Sequence, residues 1–67
     1  MNISVNGEAH TVGEARTLGA ALKAIGVTIE RGVAVAVNDR VVSRDKLEHF
    51  EIHPNDRVLL ITATQGG

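Results

Sequence analysis

The run Val58-Leu59-Leu60-Ile61 constrains the chain more than any other stretch, because four apolar residues follow one another without a polar break. Two of them are β-branched, and an unbroken run of this kind fits a strand with neighbours on both sides and cover on both faces. A chain of 67 residues is one small domain, at the size where a single core is barely sufficient. The apolar strand therefore belongs at the centre of the sheet, beside the first strand. Taken with strict alternation, Leu59, Ile61 and Ala63 are expected to face the helix, and Leu60, Thr62 and Thr64 the opposite side.

The remaining elements follow in order. Met1, Ile3 and Val5 alternate with Asn2 and Ser4, and Asn6-Gly7 is a strong hairpin signal because a type I′ turn needs positive φ twice. Glu8 to Val12 is the returning strand. Thr17 then precedes Leu18, Ala21, Leu22 and Ile25, which occupy one helical face, so Thr17 reads as an N-cap and Gly26 as the left-handed residue that ends the helix. Two or three turns are not stable in isolation, so this helix must lie on the sheet.

Val33, Val35 and Val37 alternate with Ala34 and Ala36, giving a bulky face and a small face that permits close packing. Asn38-Asp39 supplies turn chemistry, and Arg40-Val41-Val42 returns as a second hairpin. Ser43 is placed to cap a short helical turn, Leu47 and Phe50 share one side of it, and His53-Pro54-Asn55-Asp56 turns the chain into the last strand. The result is an α+β domain, a mixed sheet of about five strands packed on one main helix. Residues 1–64 form the domain, and 65–67 form a flexible C-terminal tail.

Composition narrows the function. Seven basic and eight acidic side chains, interspersed, give a net charge of −1 and disfavour a nucleic-acid partner. Phe50 is the sole aromatic residue, which removes both stacking platforms for single strands and ring-lined ligand sites. There is no cysteine, so no side-chain thiol carries sulfur or ligates metal. The N-terminus shows no basic-then-apolar leader, and no apolar run approaches the length needed to span a bilayer. The expectation is a cytoplasmic protein with protein partners.

Candidate side-chain sites are weak. His49 and His53 have helical ligand spacing, but Pro54 follows at once and no third ligand stands nearby, so a satisfied or solvated pair is the better reading and no metal site is assigned. Glu8, Glu14, Glu30, Glu51, Asp39, Asp45 and Asp56 lack a nucleophile or a cleft to tune them and read as surface charges. Gly7 and Gly13 do not make a phosphate-binding spacing. Arg44 and Arg57 are candidates for pairing with acids on a partner, against the commoner state of solvated charges.

What remains is the C-terminus. Gln65-Gly66-Gly67 has nothing to pack, and extended it projects by roughly 10 Å. Glycine removes the Cβ, so a narrow channel can admit the backbone and a reagent can approach the carboxylate.

The order of elements and Gly66-Gly67 resemble the ubiquitin-like β-grasp sulfur carriers, and most closely the ThiS-type carriers of thiamine biosynthesis. The resemblance is carried by Ile3-Ser4-Val5-Asn6-Gly7, Thr17-Leu18 with Leu22, Val35-Ala36-Val37-Asn38 through Val42-Ser43-Arg44, Asp56 and Gly66-Gly67. The chain departs from the pattern at Ser43, Leu47 and Asn55, where proline, tryptophan and glycine are usual. The resemblance implies a protein cosubstrate and not an enzyme. It further implies that the Gly67 carboxylate is adenylated by an E1-like, ThiF-type partner using ATP, then becomes a thiocarboxylate that donates sulfur to a ThiG-type thiazole synthase. A separate protein supplies the sulfur.

No cofactor is bound by the carrier in that scheme. The chain has no Gly-Lys-Ser/Thr phosphate loop, in keeping with an ATP site that belongs to the partner. Gly66 and Gln65 are the residues that enter the partner's channel, and Leu60 and Thr62, with Arg44 and Arg57, are expected to dock it. Two alternatives stand beside this reading: the small subunit of molybdopterin synthase, which uses the same thiocarboxylate, and a β-grasp interaction module with an inert tail.

Overall fold

The computed structural model describes residues 1–62. Strand β1 (Asn2–Val5) and strand β2 (Glu8–Thr11) form an antiparallel hairpin, with Asn6 at φ 51° and Gly7 at φ 86°. Both central residues are left-handed, the geometry a two-residue I′ turn requires and the reason Asn-Gly stands there. Helix α1 (Leu18–Ala24) follows after a loop. Strands β3 (Val33–Val37) and β4 (Arg40–Val42) form the second hairpin, with Asn38 at φ 50° and Asp39 at φ 71°. A single 3₁₀ turn, Arg44–Lys46, leads by a loop to β5 (Arg57–Thr62).

The sheet order is β2-β1-β5-β3-β4, so the last strand lies in the middle beside the first, as its apolar run demands. It runs parallel to β1 and antiparallel to β3. The mixed five-stranded sheet with one helix across it is the expected β-grasp arrangement.

Helix α1 starts where the sequence predicts. The Thr17 hydroxyl accepts from the Ala20 N–H at 3.2 Å, while Leu18 N–H and Gly19 N–H donate to the carbonyls of Phe50 and Leu47, both at 2.8 Å. The first-turn donors that a helix leaves unsatisfied are thus taken up by one threonine and by the loop after the 3₁₀ turn. At the far end Gly26 has φ 79°, the left-handed residue past the cap, and its N–H donates to the Lys23 carbonyl at 3.1 Å. The 3₁₀ turn differs from expectation in one respect: Ser43 precedes it, but its side chain makes no capping hydrogen bond.

Leu18, Ala21 and Leu22 on the helix meet Ile3, Val5, Val35, Val37, Val42 and Val58 on the sheet, with Val12, Leu47 and Ile52 closing the sides. Full burial of a Leu or Val side chain contributes about 2 kcal/mol. The helix cannot hold its conformation without that contact, since it has seven residues.

The structure corrects two expectations about the sheet. Alternation of β5 has the opposite phase: Val58 is 1% exposed and Leu60 packs half-buried on the core, whereas Leu59 and Ile61 are 43% and 51% exposed. Thr62 shares the helix side with Leu60 but is exposed at the strand's end. The physical cause is register. Val35↔Leu60 and Val37↔Val58 are cross-strand partners, so once the bulky valines of β3 face the helix, Leu60 and Val58 must do so too. Nor is the strand covered on both faces. Ala34 and Ala36 lie on the open side, and that small face packs against no other element among the described residues.

Candidate functional site

The uncovered face of the sheet is built from cross-strand rows. Ala36 stands between Val41 on β4 and Leu59 on β5, and the next row pairs Ala34 with Ile61. Val41 is 75% exposed, so it, Leu59 and Ile61 form an apolar band standing above two alanines. Ala36 is itself buried, because a methyl group between two larger neighbours is shielded by them. Exposed aliphatic side chains in adjacent rows mark an interaction surface more strongly than the same residues scattered singly.

Charge is sparse on this face. Arg57, level with Ser4 of β1, approaches the Asp39 carboxylate at 3.5 Å, and both side chains are mostly exposed, so the pair holds the charges together at little gain in stability. Arg57 opens β5 and Thr62 closes it, which separates them by roughly 17 Å along the strand. Arg57 therefore stands at the opposite end of β5 from Thr62. Arg44 lies elsewhere again. It follows β4 by two residues, and its guanidinium donates to the Ile29 carbonyl at 2.8 Å in the connection between α1 and β3. Gln65, Gly66 and Gly67, and with them the expected reactive carboxylate, lie outside the described residues, as do Ala63 and Thr64.

Strand β5 is held at its first residue and again at Leu60 by side-chain amides. Asn38 donates from Nδ2 to the Asp56 carboxylate at 3.0 Å and accepts the Arg57 N–H at 2.9 Å, while the other Asp56 oxygen takes the His53 N–H at 2.7 Å. Among the described residues Asp56 is the buried polar one, 7% exposed, and both carboxylate oxygens have a donor. Asp56 is thus not the surface charge its sequence context suggested: burial turns it into a clamp between the Asn38-Asp39 turn and the start of β5. Further along, the Asn6 side-chain carbonyl accepts the Leu60 N–H at 2.9 Å.

His53 sits beyond the helical turn and approaches Glu51 at 3.3 Å, both exposed, and among the described residues no group of three or more His, Cys, Asp or Glu side chains is placed to hold a metal ion. No described helix is long and apolar enough to cross a membrane.

Sequence reasoning missed Leu59, Ile61 and Val41 as the band. The usable signal was the size alternation of β3, since Val33, Val35 and Val37 together identify the helix side of whatever strand pairs with them.

Comparison with known proteins agrees over the whole chain. A model of the ThiS family matches residues 2–67. The crystal structure of a thiamine biosynthesis protein (ThiS) from Geobacter metallireducens is 29% identical, with each chain wholly covered by the other and a TM-score of 0.79. The solution NMR structure of a thiamine biosynthesis protein from the same organism is also 29% identical, covering all of this chain and 88% of that one, at a TM-score of 0.67. No curated protein matches.

Proposed function

This chain belongs to the ThiS family, and from that membership we propose that it is a sulfur carrier of thiamine biosynthesis whose working group is the α-carboxylate of Gly67. The observation that carries the proposal is the family match running through Gly66-Gly67, which follow the central strand in the sequence.

The chemistry follows from what a carboxylate lacks. Its oxygens are poor leaving groups, so sulfur cannot displace one directly. In the proposed sequence a Gly67 carboxylate oxygen attacks the α-phosphorus of ATP, pyrophosphate departs, and the resulting acyl-adenylate carries AMP as leaving group. Hydrosulfide supplied by a donor protein then attacks the acyl carbon, AMP departs with the bonding electron pair, the S–H proton is lost to solvent, and a thiocarboxylate remains. The ATP is held by an E1-like adenylating enzyme, and the sulfur passes onward to a thiazole synthase. This chain's part is to present the tail: Gly66 and Gln65 enter the partner's channel, and the β-sheet docks.

For docking, Leu59, Ile61 and Val41 replace Leu60 as the apolar contacts. They stand on the uncovered face of the strand that delivers the tail, as an interface core does within a polar rim. Incubation with the adenylating enzyme, ATP and a sulfur donor is expected to raise the mass by the difference between sulfur and oxygen, with fragmentation locating the change on Gly67. A chain that gains no sulfur under these conditions is not a carrier.

A further inference from the structure

Strand β5 has an unpaired edge in the middle of the sheet, and from it we infer that the adenylating partner adds an extended segment to β5 at Leu60 and Thr62. The inference rests on the function proposed above and goes beyond it in naming a main-chain docking site.

The edge arises from a mismatch in strand length. Strand β1 pairs with β5 only at Ser4↔Arg57 and Val5↔Val58, then turns away at Asn6-Gly7, while β5 continues to Thr62. Ser4 N–H donates to the Asp56 carbonyl at 3.0 Å and Asn6 N–H to the Val58 carbonyl at 2.9 Å, so even-numbered residues of β5 turn their main-chain groups toward β1. Odd-numbered ones turn toward β3, as Asn38 N–H to the Arg57 carbonyl shows. The next rung toward β1 is Leu60. Its N–H is taken by the Asn6 side chain at 2.9 Å, which substitutes for the main-chain carbonyl that the turn has carried off.

Beyond that rung the ladder stops. Among the described residues the Leu60 carbonyl and the Thr62 N–H and carbonyl have no partner on the β1 side. The alternation is consistent on the other side too, where Val33, opposite Thr62, sends its N–H to the Glu30 carbonyl and not to β5. Among the described residues a Cβ at Gly7 would meet nothing within 4 Å, so no side chain closes over the turn itself. Acceptor, donor, acceptor in a row is the template for one added strand.

The occupant is fixed by position. Gly67 is five positions beyond Thr62, a reach of at most roughly 18 Å, so an enzyme acting on the Gly67 carboxylate must pass its own surface beside the end of β5. An added strand there aligns the chain ahead of the reactive end, and does so without reading side chains.

The test uses the full 67-residue chain and the adenylating enzyme. Amide hydrogen exchange of Thr62, followed by NMR, is expected to slow at least tenfold in the complex. Thr62→Pro removes the donor without removing a hydrogen bond among the described residues, and is expected to weaken binding by roughly two- to tenfold, the net worth of one such bond. Thr62→Ala keeps the N–H and should bind within twofold of the parent. If Thr62 exchanges as freely in the complex as before, if no complex forms, or if the proline and alanine variants bind alike, the inference is overturned. Protection of Thr62 in the free protein at raised concentration also overturns it, by assigning the edge to a second copy. Sulfur gain by the parent chain is scored separately, so a carrier that transfers sulfur with Thr62 unprotected keeps its function and loses this site.

Discussion

The Asn38 side-chain amide donates to the buried Asp56 carboxylate at 3.0 Å, across 18 residues of sequence, and its oxygen accepts the Arg57 N–H at 2.9 Å. One asparagine thereby joins the tip of the second hairpin to the first residue of the central strand. Asp56→Ala would remove both part-buried hydrogen bonds, to the His53 N–H and the Asn38 amide. The expected loss is about 2 kcal/mol of unfolding free energy or more, read from urea denaturation at unchanged m-value. A variant as stable as the parent would show that the clamp is energetically idle.

Leu59→Glu and Leu60→Glu should part company. The first puts a carboxylate on an exposed position of the open face and should change stability by less than about 1 kcal/mol while weakening binding to the adenylating enzyme. The second drives a carboxylate against the core and should cost several kcal/mol of stability through unpaired charge burial. Thermal melts and titration calorimetry on both proteins decide it; equal melting temperatures would contradict the observed phase of β5.

Gly66→Val should be activated more slowly by the adenylating enzyme with no change in melting temperature. A β-branched side chain narrows the backbone's range and widens its cross-section, both of which oppose passage along a close-fitting channel. Adenylation at the parent rate would remove the channel from the mechanism.

Appending one alanine after Gly67 tests the reactive atom itself. Every existing side chain and the net charge stay as they were, yet the Gly67 carboxylate becomes an amide and the terminal carboxyl carbon moves by ~3.5 Å. Attack on the α-phosphate requires near contact, so most of the rate should be lost, whereas folding is untouched. Sulfur gain by the extended chain at the parent rate would place the chemistry elsewhere.

Local signals in the sequence determined the elements. Asn6-Gly7 and Asn38-Asp39 specify their turns because few other residues accept left-handed backbone, and Thr17 and Gly26 bound the helix by satisfying or reversing its ends. The central place of β5 was likewise legible, since four apolar residues in succession do not suit an edge. The phase of that strand was not legible. Val58, Leu59, Leu60 and Ile61 are all apolar, so period-2 reading has nothing to distinguish the faces, and only pairing with Val35 and Val37 of β3 settles which side meets the helix. Asp56 was opaque for a related reason: its partners stand at Asn38 and His53, and only the approach of two turns in space makes a carboxylate a core residue. The unpaired edge at Leu60 and Thr62 exists because β1 ends earlier than β5, a difference in paired length that belongs to the assembled sheet and to neither strand's sequence.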